Sequence, residues 1–370
     1  MKSVRIALPD RPYSIHIGPG LIHRAGEILS TKSHISQKTA LIVSQREVAR
    51  HYEQALADSL QKHGFAPKLF LVPAAKSSEA AKTEAVFSKL VRCMAETDGK
   101  NKSLFVVALG GGVIGDLAGF AASIYRRGVP LVQVPTTLTA QVDSAIGGKN
   151  AIDLPEGKNL LGSIYQPAVV LSDTDTLKTL SDRILSDGFA EVIKYGVIED
   201  INLFSLLEKN GKARVVSNPK IFSEVIERCA KIKARVVERD ELDKKDIRIV
   251  LNFGHTAGHA IEAASAFSRQ YTHGEAVAIG MLVACDIAAQ LGVLKDPQLP
   301  QRLEALLVKF GLPVYYKNID IAAIFEAMGY DKKAIGGKNR FVLPVRLGKT
   351  EIVKNISTEV ISRALLLRKR

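Results

Sequence analysis

His255, His259 and His273 fall in one short stretch of a chain that has eight histidines in all. Asn252, His255, His259 and Glu262 recur at i, i+3, i+7 and i+10, so a helix over Leu251–Ala266 would show them on one face. His273-Gly274-Glu275 opens the next helical pattern. Two histidines from neighbouring helices plus one carboxylate would give zinc three protein ligands and an open position, the arrangement of catalytic sites. Spacing alone pairs His255 with His259 as an i,i+4 chelate and leaves the carboxylate open among Glu191, Glu262 and Glu275. Glu191 shares a helix face with Lys194 in an apolar run.

A second constellation suits phosphate. The apolar run Ser103–Leu109 ends in Gly110-Gly111-Gly112-Val113-Ile114-Gly115-Asp116 and passes into an apolar helix. Glycines at a strand-to-helix turn bring backbone N–H groups close to a pyrophosphate, and the helix dipole favours its charge. Pro135-Thr136-Thr137 places two hydroxyls past the next strand, where open α/β sheets bind ligands. Lys149 after two glycines, and Lys158-Asn159 after Gly157, are placed as point charges beside exposed backbone.

These groups need elements to hold them. Thr39–Ser44, Lys68–Val72, Ser103–Leu109, Leu131–Val134 and Ala168–Leu171 read as buried strands, separated by the amphipathic stretches 47–63 and 78–96. That alternation predicts βαβ units and a mostly parallel sheet. From about Leu180 long helical periods dominate, at 182–197, 219–237, 251–266, 273–291 and 298–310. The expected organisation is an α/β nucleotide-binding domain over 1–180 and an α-helical metal- and substrate-binding domain over 181–370.

Composition narrows the function classes. The chain is 46% hydrophobic and 24% charged, which excludes a disordered or collagenous chain. Lys plus Arg number 51 against 38 acids, a net charge of +13. The excess is spread out, Trp is absent, and only the Arg368–Arg370 tail resembles a cluster, so no nucleic-acid partner is expected. Leu104–Tyr125 carries one charge, but its five glycines and Asp116 argue against a membrane span. Cys93, Cys229 and Cys285 fit neither a disulfide framework nor a zinc ribbon, which points to a reducing, cytoplasmic setting.

The runs GGGVIGDLAGFAASIYRRGVPLVQVPTTLTAQVDSAIGGKNAID, GKNLLG, FAEVIKYG, LNFGHTAGHAIE, HGEAVAIGM and DKK together resemble 3-dehydroquinate synthase, a sugar phosphate cyclase. The resemblance implies NAD, a zinc or cobalt ion and a homodimer. It implies Glu191, His255 and His273 as metal ligands, overruling the His255–His259 pair, and a phosphate contact for His259. Asp143, Lys149, Asn159, Lys194, Lys233, Arg248, Asn252 and either Lys332 or Lys333 resemble substrate-site residues. The catalytic role falls on Lys149, Lys194, Arg248, Asn252 and His259 with Glu191. Arg127 resembles an arginine that reaches a neighbouring subunit's phosphate pocket. Glu79, Lys82, Gly112, Val113, Ile114, Gly115, Asp116, Thr136, Thr137, Lys149 and Lys158 resemble NAD contacts. Three departures stand out. Ser44-Gln45-Arg46-Glu47 replaces an Asp and an Asn that hold the adenosine ribose, Ser78 replaces a Gly, and Asp240–Arg248 carries lysines where glycines are common.

The implied substrate is 3-deoxy-D-arabino-heptulosonate 7-phosphate, and the implied reaction is transient oxidation, phosphate loss, re-reduction and aldol closure to 3-dehydroquinate in the shikimate pathway. Cyclases using sedoheptulose 7-phosphate or glucose 6-phosphate share the motifs, but their substrates lack a carboxylate. Gly147-Gly148-Lys149 and the Arg248–Asn252 spacing favour the carboxylate-bearing substrate. A metal-dependent polyol dehydrogenase would share the glycine turn and release NADH. A nucleic-acid binder would show salt-sensitive binding with no metal requirement.

Overall fold

Apolar side chains on both faces of β5 (Leu104–Gly110) explain why that strand lies in the middle of a sheet. Phe105, Val107 and Leu109 join one buried cluster, and Leu104, Val106 and Ala108 join the other. Each such fully buried large side chain contributes roughly 1.5–3 kcal/mol. The computed structural model describes residues 1–33, 35–75, 77, 79–100, 102–265, 270–329 and 339–370. It divides into a unit of Met1–Leu180 with Phe222–Leu242 and a unit of Ser181–Ile221 with Asp243–Arg370.

In the first unit the strands are β1 (Lys2–Ile6), β2 (Tyr13–Gly18), β3 (Thr39–Ser44), β4 (Ala66–Leu71), β5, β6 (Leu131–Pro135), β7 (Lys149–Leu154), β8 (Gly157–Ile164) and β9 (Val169–Asp173). Seven of them form one sheet in the order β1-β2-β9-β6-β5-β3-β4. Only the β1–β2 pair is antiparallel. Helices α1 (Ala25–Lys32) and α2 (Arg46–Lys62) cover one face through Leu29, Leu56 and Leu60. Helices α3 (Glu84–Asp98) and α4 (Gly112–Ile124) cover the other through Leu90, Met94 and Leu117. The β4 run, expected to be buried, is an edge strand with Leu69 and Leu71 each 40% exposed. β7 and β8 form a separate hairpin that the strand reading did not include.

The second unit carries α5 (Asp182–Ile198), α6 (Ile201–Ser217), α8 (His255–Ala264), α9 (His273–Gln290), α10 (Leu299–Lys309), α11 (Ile321–Ala327), the β10–β11 hairpin (Arg340–Arg346, Lys349–Lys354) and α12 (Thr358–Leu367). Between α6 and α8 runs α7 (Pro219–Arg239), and here the organisation differs from a single helical 181–370 block. From Phe222 onward this helix belongs to the first unit. Glu227 pairs with Lys2 at 2.5 Å, and Glu238 accepts from the Ala7 N–H at 2.7 Å. An amphipathic helix shows that it buries a face, but not against which neighbour.

The basic tail is also spent internally. Arg368 is buried, paired with both oxygens of Asp286 at 2.6 and 2.9 Å and with Glu304 at 2.7 Å. Arg370 lies 3.8 Å over the Tyr315 ring. The one run that resembled a nucleic-acid cluster therefore anchors α12. No helix among the described residues is long and apolar enough to cross a membrane.

Candidate functional site

The histidine cluster lies wholly within the second unit. Helix α5 is capped by Ser181, whose hydroxyl accepts from the Ile184 N–H, and from Leu185 onward its residues are nearly all buried. That burial takes Glu191 and Lys194 out of water as a pair, 1% and 2% exposed at the side chain. Two charges in such a place persist only if further partners satisfy them. Glu191 Oε2 pairs with Lys194 Nζ, while Oε1 lies 3.3 Å from His255 Nε2 and 3.2 Å from His273 Nε2. Burial alone would raise the Glu191 pKa, but Lys194, His255 and His273 hold it well below the usual range.

Backbone proximity places the imidazoles. Asn252 was expected on the same helix face as His255, but it ends a 3-10 turn, Arg248–Asn252. Gly254 then takes φ +80°, and α8 starts afresh at His255. A Cβ on Gly280 of α9 would lie 2.0 Å from the Gly254 carbonyl oxygen, so the two helices touch backbone to backbone. Gly274 sits equally close to the Asp187 carbonyl, 2.1 Å from where a Cβ would be, and its N–H donates to Asp187 Oδ1 at 2.6 Å. The rings of His255, His259 and His273 consequently converge, with centroids 5.2–5.6 Å apart. Their ligand atoms lie within 4.8 Å of one another.

Spacing left three carboxylates open, and geometry separates them. Glu275 caps α9, accepting from the Thr272 N–H at 2.9 Å, and holds Arg183 with both oxygens at 2.7 Å. Glu262 stands behind His273, its Oε2 3.4 Å from Nδ1. Only Glu191 faces both histidines. His255 Nδ1 lies 3.1 Å from the Phe253 carbonyl, which favours a proton there and a lone pair on Nε2. For bonds of about 2.0–2.1 Å, tetrahedral ligands stand about 3.3–3.4 Å apart. The Glu191–His255 and Glu191–His273 separations match that edge, so the residues fit a zinc-sized divalent ion. His259 is the exposed member of the cluster.

In the first unit the glycine turn and the threonine turn lie against each other. Thr136 N donates to the Gly110 carbonyl at 2.9 Å, and a Cβ on Gly111 would meet the Thr137 methyl at 3.1 Å. Gly112 approaches the Ser144 hydroxyl equally closely, at 2.9 Å from where a Cβ would be. The Ile114 and Gly115 N–H groups bond to Gly111 O, so the N–H groups of Gly112 and Val113 at the helix start are left to a ligand. That is the donor set a pyrophosphate takes. Beside it Lys82 Nζ bonds Asp116 Oδ2 at 2.9 Å and Asn159 Oδ1 at 2.6 Å, with Glu79 at 3.4 Å. Burial, opposed by Lys82, pushes the Asp116 carboxyl up to about 6. Buried Lys233 of α7 donates to the Asp143 carbonyl and carboxylate at 2.6 and 2.7 Å.

Two regions of one protein family match the chain. The N-terminal part of 3-dehydroquinate synthase matches residues 72–187, and its C-terminal part matches 188–334. The chain belongs to the 3-dehydroquinate synthase family. A 3-dehydroquinate synthase from Laribacter hongkongensis is 41% identical over 367 residues, 99% of each chain. One from Acaryochloris marina is 43% identical over 98% of this chain and 97% of its own. Among solved structures, 2-deoxy-scyllo-inosose synthase complexed with carbaglucose-6-phosphate, NAD+ and Co2+ superposes at TM-score 0.86 and 26% identity, covering 98% and 99% of the two chains. A 2-epi-5-epi-valiolone synthase from Streptomyces hygroscopicus with NAD+ and Zn2+ bound gives 0.83 and 29%, over 98% of each.

Against that family, the remaining residues divide between the units. Lys149 opens β7 after Gly147 and Gly148, which take φ +94° and +71°, and Lys158 lies on β8. Arg248 is buried in the second unit, on the same 3-10 turn as Asn252. Arg127 is exposed, and both it and Arg126 take left-handed backbone, φ +65° and +49°. Arg126 is tied to Asp98 at 2.6 Å. Lys332, Lys333 and Ser78 lie outside the described residues. The ordering of Glu262 behind His273 was missed by sequence reasoning; its i+7 spacing from His255 was the available signal.

Proposed function

We propose that this enzyme converts 3-deoxy-D-arabino-heptulosonate 7-phosphate to 3-dehydroquinate and phosphate, using NAD and a zinc or cobalt ion. The observation that carries the reading is Glu191 Oε1 poised between His255 Nε2 and His273 Nε2 in a chain of this family. Glu191, His255 and His273 would hold the ion, which when bound supplies Lewis acidity toward a substrate oxygen. Gly112 to Asp116, Thr136 and Thr137 would hold NAD, whose nicotinamide supplies a reversible hydride acceptor.

The chain's own residues do the rest. Lys194 keeps Glu191 ionised and turns Oε1 toward the histidines. Glu262 holds His273 by its other ring nitrogen, as a carboxylate behind a ligating histidine does. His259 offers its ring to the substrate phosphate. Asp143 fixes the Lys233 ammonium, and Lys149, Arg248 and Asn252 supply further polar contacts to a carboxylate- and phosphate-bearing substrate. A cytoplasmic setting fits three free cysteines.

If hydride leaves and returns within one cycle, NAD is not consumed. Phosphate release should therefore proceed with no matching growth in absorbance at 340 nm, and sedoheptulose 7-phosphate and glucose 6-phosphate should not be turned over. NADH accumulating in step with phosphate would contradict the reading.

A homodimer belongs to the same reading, with Arg127 serving its neighbour. Two successive left-handed residues cost roughly 1–2 kcal/mol each, a strain that persists where a side chain must be held in place. Co-expressed and differently tagged, Arg127→Ala and Lys194→Ala subunits should form heterodimers in which one site keeps both groups. Recovery to about half the wild-type rate is expected for a two-fold assembly. Heterodimers as inactive as either parent would contradict it.

A further inference from the structure

Helix α5 carries Arg183, Asp187 and Glu191 at i, i+4 and i+8, a spacing that puts all three on one face. Each of them meets the start of α9. Glu191 Oε1 lies 3.2 Å from His273 Nε2. Asp187 Oδ1 accepts from the Gly274 N–H at 2.6 Å. Arg183 donates to both Glu275 oxygens at 2.7 Å and to the Gln270 carbonyl at 2.9 Å. With steps of about 6 Å along its axis, α5 thus holds the ligand ring, the amide beside it, and the chain entering α9.

The Asp187 bond is more than a helix cap. Helix α9 already caps itself, since Glu275 accepts from the Thr272 N–H at 2.9 Å and Ala276 donates to the Thr272 carbonyl at 3.0 Å. Asp187 comes from another helix and takes the amide directly after His273. The approach requires glycine, because a Cβ at position 274 would lie 2.1 Å from the Asp187 carbonyl oxygen. A carboxylate there also suits the positive end of the α9 dipole, and a charged acceptor makes the stronger hydrogen bond. His273 is therefore fixed twice, through its ring by Glu191 and Glu262 and through its backbone by Asp187. Metal ligands must be held to within about 0.5 Å, and a ring anchored at one end alone swings further than that.

We infer that Asp187 and Arg183 are positioning residues for the metal centre. Asp187 sets the backbone of His273 through the Gly274 amide, and Arg183 secures the same turn through Glu275. Both act through His273 and are not themselves ligands. The inference rests on the metal reading above and adds the residues that hold its third ligand in place.

Zinc affinity of the metal-stripped full-length protein, measured by competition with a chromophoric chelator, tests it. Asp187→Ala should bind zinc about tenfold or more weakly than wild type, the range for losing a partner behind a metal ligand. Asp187→Asn keeps an oxygen acceptor for the Gly274 N–H and should stay within about threefold of wild type. Arg183→Ala should lose about fivefold, the upper end for an exposed ion pair, and decides the matter if Asp187→Ala does not fold. Asp182→Ala, on the same helix but paired with Lys212 of α6, should bind zinc as wild type does. Circular dichroism confirms that each variant compared is folded, so a loss of stability alone leaves the affinity unmoved. Folded Asp187→Ala and Arg183→Ala within about twofold of wild type overturn the inference while leaving the metal reading intact. So does an Asp187→Asn or Asp182→Ala loss as large as that of Asp187→Ala. Wild type binding no zinc overturns both.

Discussion

His273→Ala should purify without its metal, whereas His259→Ala should retain it and lose turnover. Both histidines stand in the same cluster, 5.6 Å apart by ring centroid. Their surroundings differ. His273 is held at both nitrogens by carboxylates, Glu191 at 3.2 Å and Glu262 at 3.4 Å. Burial pulls its pKa down, but the bonds to Glu191 and Glu262 outweigh that and push it up to about 10. Two carboxylates that stabilise a proton on this ring also stabilise a divalent cation in its place. Lewis-acid stabilisation is worth several kcal/mol, so loss of the ion should cost on the order of 10³ in rate. Elemental analysis of the two variants decides the matter; equal metal content would contradict the assignment of His273 over His259.

Gly280→Ala should prevent the site from forming at all. The added methyl would lie 2.0 Å from the Gly254 carbonyl oxygen and 2.7 Å from the Gly258 nitrogen, both backbone atoms with no rotamer to change. Relief requires α8 and α9 to separate, which pulls His255 and His259 away from His273. A cost of more than about 4 kcal/mol is expected, with loss of folded protein or of metal binding. Gly292→Ala is the control. Its Cβ would meet nothing within 4 Å, and only its φ of +67° is strained, so a cost of about 1 kcal/mol is expected. Chemical denaturation measures both, and a Gly280→Ala protein as stable as Gly292→Ala would contradict the close helix contact.

Much of this arrangement was legible in residue order because it depends on local pattern. The β3, β5, β6 and β9 runs are mostly apolar on both faces and lie where expected, since a parallel strand covered on both faces buries both. The same logic misjudged β4, whose leucines sit at the sheet edge, because composition does not encode neighbours. The placement of α7 with the first unit was invisible for the same reason. Lys233 reads as one more helix lysine until the fold sets it against Asp143. The helix face from Asn252 to Glu262 was half right. Gly254 breaks it, and the signal was there in a glycine directly before His255. The choice among Glu191, Glu262 and Glu275 needed three dimensions, because Glu262 and Glu275 lie close to histidines in sequence whereas Glu191, the acid that faces His255 and His273, lies 64 residues from the nearer of them.

A metal- and NAD-dependent 3-dehydroquinate synthase should be inactive without either group. The most direct measurement incubates chelator-stripped protein with 3-deoxy-D-arabino-heptulosonate 7-phosphate and NAD+, then adds zinc or cobalt. Phosphate and 3-dehydroquinate should appear in equal amounts only after the metal is added and only with NAD+ present. Full activity in protein shown by elemental analysis to be metal-free, or no product from protein shown to hold both metal and NAD+, would contradict it.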